Sequence, residues 1–169
     1  MPRSQYFLLA LFACALAGIA YFVYKPGLYG PFVFDDLSNI LLVKTTYLRE
    51  LSFSALYDTA MAVDSGPLHR PIAILSFALN YFFTRMDVYY FKLTNLAIHI
   101  VSGYLLYRLS YRLLYRHSLG NTNQDPPVFR LNMLALGIAA VWLLHPLNLT
   151  SVLYVVQRMA SLASLFTLM

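Results

Sequence analysis

Residues 6–24 form a run of about 19 residues without a charged side chain, which as a helix is long enough to cross a hydrocarbon core of about 30 Å. The composition agrees, because 60% of the chain is hydrophobic and 11% is charged, whereas soluble proteins have about 45–50% and about 25%. The apolar run continues past residues 15–17, the tripeptide that a signal peptidase would cut, so an uncleaved anchor is favoured over a signal peptide. The sequence therefore predicts an integral membrane protein.

Three later segments are also predicted to cross the membrane. Residues 72–84 are left out because about 13 apolar residues fall short of the about 17–25 that a span needs. They are predicted to form a surface-lying or re-entrant helix with Pro71 in its first turn. Counting them as a span would also carry the basic loop 108–130 to the outer side, against the positive-inside tendency. We expect an all-α membrane protein with about four transmembrane helices and with interfacial helices in the outer loop 25–90. The predicted spans are 6–24, 91–108, 132–145 and 151–169.

The basic residues follow this predicted topology. The net charge is +5, and arginines concentrate in the loop 108–130, which we place in the cytoplasm. This distribution argues against nucleic-acid binding, which uses a continuous basic patch. Lys92, at the start of the second predicted span, is expected to extend to the membrane surface. The last span is expected to be one helix on which Thr150, Tyr154 and Arg158 share a face.

An acidic pair, Asp35 and Asp36, follows the first predicted span, in a chain with only seven acidic residues. Either carboxylate can serve as the general base that deprotonates an acceptor hydroxyl. The pair can also begin an oxygen-ligand site for a divalent cation, whereas Cys14, the only cysteine, gives no thiolate site. The structural alternative is a helix cap, for which Asp is preferred. No other cofactor is predicted.

Basic and polar residues are predicted on the same outer side as the acidic pair. They are His69, Arg70, His145, Gln157 and Arg158. Arginine and histidine at a membrane surface suit the binding of a phosphate, although Arg70 and Arg158 can alternatively anchor helix ends. Because an arginine at the centre of a membrane costs about 2.5–3.5 kcal/mol, Arg158 is expected near the surface or paired with an anion.

A polar stripe runs along the second predicted span. Asn95, His99 and Ser102 are spaced at i, i+4 and i+7, so they lie on one face of a helix and must point into the bundle or a cavity. Two interpretations of His99 stay open. It is either a packing histidine that is hydrogen-bonded between helices or a residue that binds a polar ligand.

The order of these motifs resembles a known family. The sequence is similar to the amino-terminal membrane half of the C-type membrane glycosyltransferases, and most similar to the transmembrane and tetratricopeptide-repeat O-mannosyltransferases and their bacterial relatives. The similarity covers nearly the whole chain. The motifs are Phe34–Ile40, Leu68–Ile72 with Leu79–Tyr81, Asn95 with His99, His145-Pro146, and Val155–Leu162.

The resemblance implies a transferase that moves a sugar from a polyprenyl-phosphate-linked donor to a hydroxyl group of an acceptor protein or lipid on the outer face. It implies that Asp35 or Asp36 acts on the acceptor and that Arg70, His145 and Arg158 contact the donor phosphate. Gln157 departs from the acidic or glycine context that some relatives have there. Further spans and tetratricopeptide repeats are not in this sequence, so 1–169 is expected to be the amino-terminal part of a larger membrane domain.

Two other functions are weighed against the transferase. One is a non-catalytic membrane anchor or assembly module, in which the same polar face docks a protein or a lipid. The other is a transporter or flippase, which is disfavoured because the sequence has no internal repeat. In every case we expect a multi-pass membrane protein with a cytoplasmic amino terminus, in a bacterial inner membrane rather than the endoplasmic reticulum.

Overall fold

The computed structural model describes residues 3–41, 46–62, 70–121 and 126–169. The regular structure of this part of the chain is helical throughout, as the sequence predicts. The α-helices are α1 (Arg3–Leu28), α2 (Phe53–Ala62), α3 (Pro71–Thr84), α4 (Val88–Asn121), α5 (Val128–Leu143), α6 (Leu149–Leu153) and α7 (Arg158–Leu168). A π-helical turn spans Leu37–Leu41, and 3₁₀ turns span Pro146–Asn148 and Val155–Gln157.

α1 is the one helix in the described ranges that is long and apolar enough to cross a membrane by itself. α5 meets the same criterion together with Pro146–Leu153, although these two parts are bent by 54°. The predicted span 91–108 lies within α4, which continues through the basic segment to Asn121. One or two of the described helices thus meet the criterion, and the count of four spans stays a prediction.

α1 joins the rest of the molecule through its carboxyl-terminal half, where Ala20, Tyr24 and Leu28 are buried. Many of its other apolar side chains have no covering neighbour, and Phe7 and Phe22 are each 70% exposed. Extended apolar surface of this kind marks a membrane or a protein interface. The exposure of α1 is therefore compatible with the membrane anchor that the sequence predicts.

α4 lies at the centre of the fold and packs against α1, α3, α5, α6 and α7. Two buried apolar clusters connect it to these neighbours. The first joins α4 to α1 and α6 through Tyr24, Leu28, Leu96 and Val152. The second joins α4 to α3, the π-helical turn and the second 3₁₀ turn through Ile40, Phe77, Phe91 and Val155. Residues on α4 can therefore reach most elements of the fold.

Two helices in the predicted outer loop pack on each other, α2 and α3. α3 begins at Pro71, because proline has no amide hydrogen to lose at the first helical position and its φ is already helical. One face of α3 is buried through Ala73, Ile74, Phe77 and Ala78. This face attaches the predicted outer loop to α4 and α7.

The segment 151–169 is not the single helix that its sequence predicts. α6 ends at Leu153, Tyr154 has an extended conformation (φ −99°, ψ 108°), and α7 begins only at Arg158 after a 3₁₀ turn. Tyr154 and Arg158 therefore do not share a face of one continuous helix. We call residues 154–157 the helix break. The apolar pattern could not reveal this break, because the groups that hydrogen-bond to its backbone come from distant parts of the chain.

Candidate functional site

The two carboxylates of the acidic pair have different environments. Asp36 is buried, with 0% of its surface exposed, whereas Asp35 is exposed. The preceding residue, Phe34, has a φ of 48°, in the left-handed region that residues other than glycine rarely adopt. At this turn the Asp36 side chain thus points into the protein and the Asp35 side chain points to its surface. The structure in this way distinguishes two carboxylates that the sequence alone does not.

Asp36 accepts hydrogen bonds from three backbone amides. Val156 N–H donates to Oδ1 at 2.7 Å, and Val155 N–H and Val33 N–H donate to Oδ2 at 3.4 Å and 3.1 Å. The first two amides lie at the helix break, where no preceding helical turn supplies an acceptor. Asp36 therefore caps the break from about 120 residues away in the chain.

Asn95 supports the other side of the same break. Its side-chain amide donates to the carbonyl oxygens of Val152, Tyr154 and Val155 at 3.3, 3.3 and 3.4 Å. These carbonyls lose their helical partners where α6 ends, and a buried carbonyl without a partner is costly. Asp36 accepts hydrogen bonds from backbone amides at the break, and Asn95 donates hydrogen bonds to backbone carbonyls there. The break is therefore an ordered structure with hydrogen-bonded backbone groups rather than a frayed helix end.

Arg158 lies inside the protein, with 0% of its surface exposed, at the start of α7. Each of its three guanidinium nitrogens donates to an uncharged acceptor. Nε bonds Asn95 Oδ1 at 2.7 Å, Nη1 bonds Asn80 Oδ1 at 2.6 Å and Ser76 O at 3.1 Å, and Nη2 bonds Phe91 O at 2.7 Å. Among the described residues, neutral oxygens and the Phe77 ring, 4.6 Å away, surround the charge, so a position near the membrane surface or beside a bound anion stays a prediction.

Lys92 is also buried, contrary to the expectation that it extends to the membrane surface. Its ammonium group donates to the carbonyl oxygens of Gly27, Gly30 and Pro31 at 3.2, 2.9 and 3.2 Å. Because a helix ends in unpaired carbonyls and a partial negative charge, the end of α1 attracts this cation. The carbonyl acceptors are in another part of the sequence, so spacing within α4 could not indicate them.

An open cavity of about 460 Å³ adjoins the turn that carries Asp35 and Asp36, here called the acidic turn, and the start of α7. Its lining includes the sequence-predicted residues Asp35, Arg70 and Gln157, together with Asn39 on the π-helical turn. The Asp35 carboxylate has no hydrogen-bond partner within the described ranges, whereas its backbone amide donates to Tyr154 Oη at 3.1 Å. Arg70 Nη1 lies 3.2 Å from the Met159 sulfur, a weak acceptor. The cavity therefore combines an open carboxylate with an arginine that makes no strong hydrogen bond there.

The other predicted site residues that the structure describes do not line this cavity. His145 is exposed, and its Nδ1 accepts from Leu147 N–H at 3.2 Å, where it caps a 3₁₀ turn. His69 lies outside the described residues. Asp36 and Arg158 are buried, and Asp36 accepts a hydrogen bond from the amide of Val156, which lines the cavity. Of the predicted acidic and phosphate-binding residues, the structure brings three to one cavity.

His99 is buried between helices and makes contacts typical of packing. Its Nε2 lies 3.0 Å from the carbonyl oxygen of Leu143, which also accepts from Tyr24 Oη at 3.3 Å. The imidazole ring packs on Trp142 with 4.5 Å between ring centroids. These contacts occupy Nε2 and one face of the imidazole ring, as expected for a packing histidine.

The chain is similar to known O-mannosyltransferases. It is 30% identical over 164 residues to Protein O-mannosyl-transferase TMTC1 of Mus musculus. The aligned region covers 93% of this chain and 16% of that protein. It is 31% identical over 144 residues to Protein O-mannosyl-transferase Tmtc3 of Drosophila melanogaster, which is 79% of this chain and 15% of that protein. It is 29% identical over 150 residues to TMTC3 of Mus musculus, at 86% and 15% coverage.

The resemblance found in the sequence is confirmed. The O-mannosyltransferase relatives are much longer, and the chain spans about 16% of the length of the first of them. No protein-family model matches the chain. No solved structure matches it.

Two residues have roles that no sequence pattern indicates. The sequence predicts only a helix face for Tyr154, which contacts the Asp35 backbone, and only membership of a family motif for Asn80 on α3, which accepts a hydrogen bond from Arg158. The described residues contain no cluster of three or more potential metal ligands. The two carboxylates moreover lie on opposite sides of the turn, one buried and one exposed.

Proposed function

We propose that the chain is the amino-terminal membrane part, residues 1–169, of a glycosyltransferase that acts on a hydroxyl group of a protein. The donor is a polyprenyl-phosphate-linked sugar, and mannose is the first sugar to test, because the relatives are named O-mannosyl-transferases. In this proposal the amino terminus is cytoplasmic, four helices cross the membrane, and transfer occurs at the outer face. The observation that carries it is the cavity that Asp35 shares with Arg70.

Asp35 is the general base in this proposal. Its carboxylate is exposed and has no hydrogen-bond partner among the described residues, so either oxygen can accept the proton of an incoming hydroxyl. The acceptor oxygen then bonds to the anomeric carbon of the sugar. The bond from that carbon to the donor phosphate breaks, and the polyprenyl phosphate leaves with the bonding electrons.

Arg70 is the proposed partner of the departing phosphate. Its guanidinium group lines the cavity and contacts only a thioether in the described structure, so it can exchange this contact for two strong bonds to a phosphate. Gln157, in the same lining, can donate from its amide to the phosphate or to the sugar. His145 and Arg158, which do not line the cavity, are not needed in this arrangement.

Steady-state transfer of mannose from polyprenyl phosphate to an acceptor protein tests the role of Arg70 in the full-length protein. Arg70→Ala should raise the KM for the donor about tenfold or more, since charge-assisted hydrogen bonds are each worth about 1.5–3 kcal/mol. Arg49→Ala, at an exposed arginine outside the cavity lining, is the matched control and should leave KM unchanged. An unchanged KM in Arg70→Ala would remove Arg70 from the donor site. Absence of any transfer by the wild-type protein would favour the membrane anchor or assembly module.

A further inference from the structure

The acidic turn and the helix break are connected by two independent contacts. Asp36 accepts the amides of Val155 and Val156, and the hydroxyl of Tyr154 accepts the amide of Asp35 at 3.1 Å. Three consecutive residues of the break thus hold two consecutive residues of the turn. The Tyr154 ring also contacts the Phe34 ring, with 6.1 Å between the centroids.

The turn itself has an unfavourable backbone conformation. Phe34 has a φ of 48°, which costs about 1–3 kcal/mol for a residue other than glycine and persists only when the surroundings impose it. The Phe34 side chain is 82% exposed, so its own burial does not compensate for this cost. Hydrogen bonds on either side of Phe34, from Val33 N–H to Asp36 and from Asp35 N–H to Tyr154, support the conformation together with the backbone bond from Asp36 N–H to Val33 O at 3.1 Å.

This conformation decides where the Asp35 side chain lies. With Phe34 in the left-handed region, Asp36 enters the protein and Asp35 remains at the cavity. Gln157 reaches the same cavity because the break directs the start of α7 past it. The geometry of the cavity therefore depends on the contacts between the turn and the break.

We propose that Asp36 and Tyr154 are positioning residues for Asp35. Asp36 holds the break against the turn through backbone amides, and Tyr154 fixes the Asp35 backbone through its hydroxyl group. This proposal rests on the proposed transferase function, and it divides the acidic pair into one catalytic carboxylate and one positioning carboxylate.

Two substitutions in the full-length protein separate these roles. Asp36→Asn keeps the shape but replaces one acceptor oxygen with a donor, and Tyr154→Phe keeps the ring and removes only the hydroxyl. Both should lower kcat for mannose transfer from polyprenyl phosphate by about tenfold to a hundredfold with little change in donor KM, because a displacement of about 1 Å at a reacting group costs up to about 10²-fold. Tyr57→Phe, at an exposed tyrosine on α2, is the control and should transfer at the wild-type rate.

The pH dependence of the residual activity gives a readout that a loss of stability does not produce. A positioning role predicts that Asp36→Asn and Tyr154→Phe keep the wild-type pH profile of kcat, because Asp35 is still the base. An Asp36→Asn protein that is folded but inactive, or whose pH profile differs from that of the wild type, would overturn the proposal by making Asp36 the base. A wild-type kcat in Tyr154→Phe would overturn the positioning proposal as well. If Asp36→Asn does not insert into the membrane, the kcat of Tyr154→Phe alone tests the proposal. Full activity of Asp35→Asn would instead refute the proposed function.

Discussion

Arg158 Nε donates a hydrogen bond to Asn95 Oδ1 at 2.7 Å, in a part of the interior where both residues are fully buried. The same Asn95 donates from its amide nitrogen to carbonyl groups of the helix break. One asparagine thus connects the end of α6 to the start of α7, and Arg158 carries the connection on to α3. The break is held by this network and by Asp36.

Arg158→Met should destabilise the protein, because it removes the donor to the buried oxygens of Asn95 and Phe91 and to the half-buried amide oxygen of Asn80. An unsatisfied buried acceptor costs about 1–3 kcal/mol, so the thermal midpoint in detergent should fall clearly. Arg116→Met, at an exposed arginine on α4, is the control and should melt like the wild type. A variant at Arg158 with wild-type stability and a raised donor KM would instead support the phosphate role that the sequence predicts.

Lys92→Met should also destabilise the fold. The substitution removes the donor to the carbonyls of Gly27, Gly30 and Pro31 at the end of α1, and hydrogen bonds to a charged group are each worth about 1.5–3 kcal/mol. Thermal unfolding of Lys92→Met and Lys25→Met, compared in the same detergent, checks this, because Lys25 is exposed near the same helix end. Equal midpoints for the two variants would contradict a structural role of Lys92.

His99→Leu should reduce stability modestly and leave donor KM unchanged. Leu143 O keeps the Tyr24 hydroxyl as a second donor, so a loss of about 1 kcal/mol is expected from one hydrogen bond. Adding Tyr24→Phe removes the remaining donor, and the double variant should lose more than the sum of the single losses. Thermal midpoints of the three variants measure this coupling. A raised donor KM in His99→Leu at wild-type stability would support the ligand-binding alternative.

The proposed topology can be tested by cysteine labelling. In a Cys14→Ala background, Phe34→Cys should react with a membrane-impermeant maleimide from the outer side of intact membranes, because that side chain is exposed beside α1. Leu119→Cys, exposed in the basic segment of α4, should react only after permeabilisation. The opposite pattern would invert the proposed orientation, and labelling of both sites from one side would remove the predicted second span.

The sequence predicts features that depend on local pattern. The apolar run of α1, the start of α3 at Pro71 and the burial of Asn95 follow from run length, proline chemistry and helical spacing. Each of these properties depends on residues within a few helical turns. The number of spans depends on how each helix lies relative to a membrane, which is a property of the chain and the lipid together. The count of four spans therefore stays a prediction.

Features that depend on distant contacts could not be predicted in this way. The helix break needs Asp36 and Asn95 to satisfy its backbone, and neither residue is near 153–157 in the sequence. The sequence predicts Arg158 and Lys92 near a membrane surface because a charge inside a protein is costly, but backbone and amide oxygens brought by other elements offset that cost in the buried sites of both residues. The different environments of Asp35 and Asp36 arise from the turn at Phe34, which no sequence pattern marks.

The central claim, that Asp35 is the base of a sugar transfer reaction, is tested most directly by the initial rate of mannose transfer from polyprenyl phosphate by full-length Asp35→Asn. Asp58→Asn is the matched control, since Asp58 is an exposed carboxylate on α2 outside the cavity lining. We expect Asp35→Asn to lose about 10²-fold or more of the rate, as the removal of a general base does, and Asp58→Asn to keep the wild-type rate. Equal rates for the two variants and the wild type would contradict the claim.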